Sequence, residues 1–449
     1  MITRAGAPLR AVSLFSNCGA GDIGYAKAGF AFEVMAELDE RRLSVALLNH
    51  ADAHGVPGDL RETLPAVVAA YRDRVGDQPP ALLAACPPCQ GMSSARSGRG
   101  HEADADAGSR DARNLLVQVV AGAVAELAPR AIVVENVQAF LTRKVRHPAT
   151  GEPVSGARYL MDTLDADYVV YPLIADLADF GVPQSRRRSF LTFIRRTEPG
   201  LAILERRSLA PYPYAAGASG GAVALKDALV SFGLPPLDAA RPETAASDVP
   251  MHAVPVWPAE RYGMVDAIAP YSGASAWEND ACTHCGQRTT DRGRVHCSSC
   301  GCLLPRPVTR GSDGEHRLVT GFHTSYRRMA PDEPAATITT ASGHVGSDRT
   351  IHPWENRVLS PLECALLQTF PPTFQWGNSL ERWGHTNVRA MIGEAVPPLF
   401  TQKHGRVLSQ ILRQIPPRLA LSVNDRRIAA AHRALERATR AVEGVSELA

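Results

Sequence analysis

The chain has 449 residues, 45% hydrophobic and 21% charged, enough to bury one large core and a second, smaller one. The formal net charge of +2 is nearly balanced, so any nucleic-acid surface must come from local clusters such as Arg186 to Arg188, Arg195 with Arg196, Arg206 with Arg207, or Arg327 with Arg328. No run of eighteen apolar residues and no signal-peptide core occurs, so no membrane partner is expected and a cytoplasmic location is.

Residues 11–39 read as strand, tight turn, helix and strand in AVSLF, NCGAGDIG, YAKAGF and FEVMAEL. Gly19, Gly21 and Gly24 let the backbone approach a ligand closely where the helix begins. Such a turn also suits a nicotinamide dinucleotide, but the spacing is not a clean G-x-G-x-x-G. Helical periodicity follows at 40–49 and 61–74, then a strand at 81–85 that runs into ACPPCQG. Pro87 and Pro88 discourage a helix and remove two backbone donors, which sets Cys89 on a loop at a strand's carboxyl end. Open α/β sheets bind ligands at that edge. A cysteine attacks as its thiolate, so a catalytic one needs surrounding dipoles or positive charge and access to substrate.

Residues 93–111, rich in Gly, Ser, Ala and charge, read as a lid ahead of a helix at 114–127. The apolar strand at 131–135 brings Glu135 and Asn136 to the same sheet edge, where a carboxyl group can hold a ring nitrogen or an exocyclic amine. A helix at 156–164 and strands at 168–174 and 188–194 continue the alternation, with the basic turn from Gln184 to Arg188 before the last strand. The alternation predicts an α/β, Rossmann-like sheet with helices on both faces.

From 198 to 345 this rhythm gives way to Pro, Gly and short runs. Nine cysteines in a cytosolic chain argue against disulfides, and five of them fall between 282 and 302. CTHC and CSSC offer the thiolates of Cys282, Cys285, Cys297 and Cys300 at zinc-ribbon spacing, with Gly286 and Gly301 for the turns around sulfur. Cys302, His284 and His296 are substitutes for any of the four. Four sulfurs leave no open position, so a zinc there is structural. Beyond, SPLECALLQTF reads as a helix, and the tail from 416 reads as an Arg/Ala-rich helix of unclear use, packing or solvated.

Taken in order, these motifs resemble those of the DNA (cytosine-5) methyltransferases across most of residues 10–400. LFSNCGAGDIGY resembles the cofactor motif, Glu37 with Asp39 the acidic second, and Gly58-Asp59-Leu60 the third. PPCQG resembles the nucleophile motif, Glu135-Asn136-Val137 the carboxylate motif, and Gln184 to Arg188 the Q-x-R-x-R motif. RVLSPLECALLQ followed by FPP, then IGEAVPP, complete the series.

The resemblance implies S-adenosylmethionine as methyl donor, held by Phe15, Ser16, Asn17, Cys18 and Gly19. Phe15 would lie against adenine, Glu37 on the ribose hydroxyls and Asp59 on the adenine amine. Leu38, Leu60 and Leu116 would wall the site, and Glu394 and Ala395 would reach it from the last motif. Cys89 would add to carbon 6 of a cytosine flipped out of the duplex. Glu135 would hold ring nitrogen 3 and the 4-amino group, Arg188 the carbonyl oxygen, and Arg186 the supporting loop.

The implied domains are 1–197 and 346–415 as two parts of a catalytic domain, an inserted target-recognition domain at 198–345 carrying the zinc module 282–302, and a C-terminal helix at 416–449. The implied partners are double-stranded DNA and restriction or defence-system proteins, the chain itself being a monomer. Three residues depart from the usual pattern, Asn17 and Ala20 standing for glycine and Glu394 for asparagine. Two other functions suit much of the same sequence: a tRNA cytosine-5 methyltransferase of this architecture, and a DNA-binding regulator that has lost transfer.

Overall fold

The computed structural model describes residues 7–88, 116–147, 150–215, 222–320 and 324–446, so Cys89 and the 93–111 stretch read as a lid lie outside the described residues. Strands β1 (Leu9–Leu14) and β2 (Phe30–Glu37) are joined by α1 (Ala20–Lys27). Next come α2 (Glu40–Asn49), β3 (His54–Pro57), α3 (Leu60–Val75), β4 (Leu82–Ala85), α4 (Val117–Leu127) and β5 (Ala131–Asn136). A small hairpin of β6 (Lys144–Arg146) and β7 (Pro153–Ser155) precedes α5 (Gly156–Leu164), β8 (Tyr168–Asp176) and β9 (Arg187–Arg195).

Seven of these strands form one sheet in the order β3-β2-β1-β4-β5-β9-β8. All neighbours pair in parallel except β9, which is antiparallel to both β5 and β8. The central strands β4 and β5 are buried at every position, as their continuous apolar runs require in a sheet covered on both faces. On one face Val12, Leu14, Leu83 and Val134 pack under α3, α4 and α5; on the other Ala11, Met35, Leu82 and Val133 pack under α1 and α2. The helices start where their sequences supply caps: the Asp39 side chain accepts from Arg41 N at the head of α2, and Asp59 accepts from Arg61 N at the head of α3. From β1 the chain winds outward to β2 and β3, then returns to β4 and winds the other way. The reversal opens a crevice at the carboxyl ends of β1 and β4.

Past β9 the chain forms α6 (Leu201–Arg207), β10 (Leu209–Pro213) and α7 (Leu225–Phe232). Ala210 and Tyr212 of β10 still belong to the core under the main sheet. A separate core begins later, uniting Leu237, Val254, Trp257 and Ile268 with Val345, Ile351 and Val358. The intervening chain contains α8 (Ala259–Asp266) and a hairpin of β11 (Val308–Arg310) and β12 (His316–Leu318). The chain then returns through α9 (Pro361–Leu367), α10 (Ser379–Glu394), α11 (Pro398–Leu412), β13 (Ala420–Ser422) and α12 (Arg426–Ser446). Phe400 and Leu408 of α11 join the core around α1, β13 pairs with β10, and Ile428, Ala431, Ala434 and Leu435 bury one side of α12. No helix among the described residues is long and apolar enough to cross a membrane.

Candidate active site

The turn after β1 is held by polar contacts, with glycine needed at few of its positions. Phe15 and Asn17 both have positive φ, 58° and 49°, and Asn tolerates that conformation better than most residues. Ala20, the other replacement for glycine, is the first residue of α1 and lies outside the positive-φ set. The Glu37 carboxylate accepts from Asn17 N at 2.8 Å and from Asp39 N at 3.1 Å, tying the turn to the end of β2. Ser16 Oγ donates to the carbonyls of Ser13 and Ala36 at 3.2 Å each. Asn17 Nδ2 donates to Met391 O at 2.9 Å, so the 387–396 segment returns beside this turn, as the resemblance implies. The partner atom Asn17 Oδ1 is buried with no hydrogen-bond partner among the described residues.

A cavity of about 720 Å³ opens on this turn. Phe15, Ser16, Asn17, Glu37, Leu38, Asp59, Leu60, Leu116, Glu394 and Ala395 all line it. Cys18 and Gly19 do not. The Cys18 side chain is fully buried in an apolar cluster with Val45 and Met391, where burial pushes its thiol up to about 12. Gly19 packs instead on Ala46, 3.1 Å from where a Cβ would sit. Leu38 stands at the rim, 67% exposed, whereas Leu60 is buried. Gly393 allows the Glu394 wall to form, because a Cβ there would lie 2.4 Å from the Thr339 carbonyl carbon.

The charges around the cavity are mostly paired. Asp39 pairs with Arg41, Asp59 with Arg61, Glu394 with Arg42 and Glu135 with Arg188. Among the described residues Asp22 and Glu37 line the cavity with no ion pair. Burial pushes Asp22 up to about 7, against a 2.9 Å hydrogen bond donated by Ser13 Oγ, and burial likewise raises Glu37 against its two backbone donors. Two unpaired carboxyl groups and an unsatisfied amide oxygen suit a ligand that brings cationic and hydrogen-donating groups. An adenosyl sulfonium amino acid is such a ligand.

The other end of the cavity is built on β4, β5 and β9. Pro87 and Pro88 line it, so the chain leading into Cys89 borders the same space. Asn136 Nδ2 donates to Pro87 O at 3.0 Å while its Oδ1 accepts from Val137 N at 2.8 Å, fastening that proline segment to the end of β5. Glu135 sits opposite Phe190 in the ladder, and Arg188 two residues along β9 reaches it diagonally, with Nε 3.1 Å from Oε1. Three strand spacings separate the ends of β2 and β5, so Glu37 and Glu135 lie about 14 Å apart across the sheet edge.

Arg186 is nearly fully buried and donates to Ile338 O at 3.1 Å and Gly393 O at 2.9 Å. Gln184 Oε1 accepts from Ile338 N at 2.8 Å. These contacts lay residues 337–340 along the cavity, which Thr337, Ile338, Thr339 and Thr340 help to line. Sequence reasoning missed that segment, together with Asp22, Arg42 and the tether from Asn136. Asp22 carried a signal, a carboxylate on the inward side of a helix that follows a glycine turn. Arg42 and residues 337–340 carried none, because their partners lie more than 150 residues away.

The predicted metal ligands form a separate group, the Sγ atoms of Cys282, Cys285, Cys297 and Cys300 lying within 4.8 Å of one another.

Comparison with known proteins bears on the family and the fold. The Type II methyltransferase M1.HgaI of Avibacterium volantium is 26% identical over 407 residues, covering 87% of this chain and 95% of its own length. The Type II methyltransferase M.DdeI of Desulfomicrobium norvegicum is 24% identical over 411 residues, covering 87% and 86%. Among solved structures, a prophage-encoded candidate DNA modification methyltransferase (E. coli) superposes with a TM-score of 0.54 at 21% identity, covering 90% of this chain and 99% of that one, a likeness of fold. The family model described as C-5 cytosine-specific DNA methylase matches residues 9–220 and 279–410, which takes in both sheet-edge ends of the cavity, α9, α10 and most of α11. The chain therefore belongs to the C-5 cytosine-specific DNA methylase family.

Proposed function

We propose that this protein methylates carbon 5 of cytosine in a specific duplex DNA site, with Cys89 as nucleophile and S-adenosylmethionine as donor. The observation that carries the reading is the single cavity that joins Glu37 and the β1 turn to Glu135, Arg188 and the Pro87-Pro88 approach to Cys89. Carbon 5 of an aromatic pyrimidine is a poor nucleophile. Addition of the Cys89 thiolate to carbon 6 breaks the conjugation and places an electron pair at carbon 5. Glu135 holds ring nitrogen 3 and the 4-amino group and Arg188 the carbonyl oxygen, so the charge of addition develops against groups already in place. When bound, the donor supplies a methyl group on a positively charged sulfur. Carbon 5 takes it, loses its proton to a base, and expulsion of Cys89 restores the ring.

On the donor side, Phe15, Ser16, Asn17, Leu38, Leu60, Leu116 and Ala395 form the walls, while the backbone of Cys18 and Gly19 shapes the turn. Glu37 takes the ribose hydroxyls. Asp59 keeps its place at the adenine edge while paired with Arg61. Glu394, in place of the usual asparagine, acts with Arg42 as a neutral pair at the rim. The two side chains are 21% and 26% exposed, and pairs open to water contribute little, so Glu394→Asn is expected to change donor affinity by at most about fivefold, read by equilibrium binding. A larger loss would assign Glu394 a direct contact.

Residues 198–345 serve as the target-recognition segment, their separate apolar core supporting side chains that reach base edges. We take the protein to work in the cytoplasm as a monomer on DNA; the likeness to Type II methyltransferases supports a place beside a restriction enzyme or other phage-defence proteins. The test is expression in a host without cytosine methylation, followed by sequencing that distinguishes 5-methylcytosine. Methylation within one short motif is expected, and Cys89→Ala is expected to abolish it while DNA and donor binding persist. Full methylation with Cys89→Ala would refute the mechanism.

A further inference from the structure

We propose that Cys282, Cys285, Cys297 and Cys300 bind one structural zinc ion, and that this ion stands in for the apolar core of the segment between Asn279 and Arg306. Zinc–sulfur bonds of about 2.3 Å in a tetrahedron place the sulfurs about 3.8 Å apart. Cys282 Sγ lies 3.6 Å from Cys300 Sγ, and Cys285 Sγ lies 3.7 Å from Cys297 Sγ. Both separations are far longer than a disulfide's, which is about 2.05 Å.

The backbone repeats one turn twice around these sulfurs. Gly286 N donates to Cys282 O at 2.9 Å and Cys282 N to Gln287 O at 2.9 Å; Gly301 N donates to Cys297 O at 3.0 Å and Cys297 N to Cys302 O at 2.8 Å. Gly286 and Gly301 hold φ of 74° and 71°, which turns the chain back under each pair of thiols. Ser299 N also points at Cys297 Sγ, 3.4 Å away. Two matching turns that converge four thiols on one point are an arrangement for a metal.

Little else holds the segment together. Its buried apolar cluster consists of Cys282, Cys297 and Leu304, with Cys302 alongside. So small a core cannot order a segment of this length unaided. Its polar anchors start from the two ends: buried Arg306 donates to Asn279 O at 2.7 Å and, in mid-segment, to Asp291 O and Arg294 O at 2.7 and 2.8 Å, and Asn279 Nδ2 donates to Met264 O at 3.0 Å and Pro305 O at 2.6 Å. Two of the three substitutes left open by the sequence have other contacts. His296 faces Gly301 O and the edge of His316, and Cys302 packs beside Leu304.

Four thiols bind Zn²⁺ with release of four protons, and the filled tetrahedron has no position for substrate. Iron also accepts four thiolates in a tetrahedron, so metal identity must be measured directly.

The experiment takes the full chain, purified without chelator, through elemental analysis and native mass spectrometry. One zinc per chain is expected, and exchange for cobalt(II) should give the intense visible absorption of a tetrahedral cobalt thiolate. Cys285→Ser and Cys300→Ser should each lose the metal, while Cys302→Ser and His284→Ala should keep it. Removing zinc from the wild-type chain should raise amide exchange across 280–306 and leave equilibrium binding of S-adenosylhomocysteine unchanged. A wild-type chain with no zinc, with iron, or with disulfides among the four cysteines overturns the proposal. So does unchanged exchange after zinc removal, or loss of cofactor binding together with the metal.

Discussion

Glu135→Gln is expected to slow methyl transfer roughly a hundred- to a thousandfold, the usual cost of removing one preorganised group from a site of developing charge. The donor should bind as before, because Glu135 lies at the β5 end of the cavity and the donor groups lie around β1 and β2. Glutamine keeps the size of the side chain and one acceptor, so the change isolates the charge and the proton at ring nitrogen 3. Arg188 remains beside it and loses its ion pair with Glu135. Single-turnover transfer rates and equilibrium binding of S-adenosylhomocysteine separate the two effects. A rate within a few fold of wild type would remove Glu135 from the chemistry. An equal loss of cofactor affinity would mean that the residue supports the whole cavity.

The sheet was legible because its strands are short apolar runs and its helices carry a period of three to four. β1, β2, β4, β5, β8 and β9 lie within a few residues of the predicted strands. β3 was not legible: its four residues, HGVP, bury only Val56 and make no apolar run. The separate core gave no periodic signal because Leu237, Val254, Trp257 and Ile268 come from irregular chain and meet Val345, Ile351 and Val358 some ninety residues later. The change in composition at 198 also comes before the change in packing, since β10 still serves the main sheet. At the site, residues in contiguous motifs were found and residues supplied by distant segments were not. Asn136 shows the limit within a motif: its position at the sheet edge was legible, its bond to the Pro87 carbonyl was not. The sequence left the use of the tail open; in the structure its helix starts at Arg426, buries an Ala and Leu face and pairs Arg427 with Asp179.

Glu363→Ala is expected to destabilise the protein by about 3–5 kcal/mol, the cost of stranding a buried charge. Arg357 is 1% exposed and holds both oxygens of Glu363, at 2.6 and 2.8 Å, while its Nε donates to Glu355 at 2.6 Å. Glu363 also closes a capping box with Ser360 at the head of α9. Glu355 in turn accepts from Leu237 N at 2.9 Å, so the network joins the separate core to the helices that return to the cavity. Removing the carboxylate leaves the Arg357 guanidinium in low dielectric with one acidic partner and frees the first turn of α9. Glu363→Gln keeps the cap and part of the hydrogen bonding and should cost less.

The same pair sets an acid limit. Burial alone would raise the Glu363 carboxyl, but Arg357 outweighs it and holds the group at about 2, below its ordinary 4.5. A carboxyl depressed on folding stabilises the protein fully above its unfolded value and loses that contribution as pH falls toward its folded value. The wild type should therefore lose this contribution between about pH 4.5 and 2, whereas Glu363→Gln should show a flatter dependence there. Urea unfolding across that range checks both statements. Equal midpoints for wild type and Glu363→Ala near neutral pH would show that Arg357 finds another partner and that the joint between the two cores does not rest on this carboxylate.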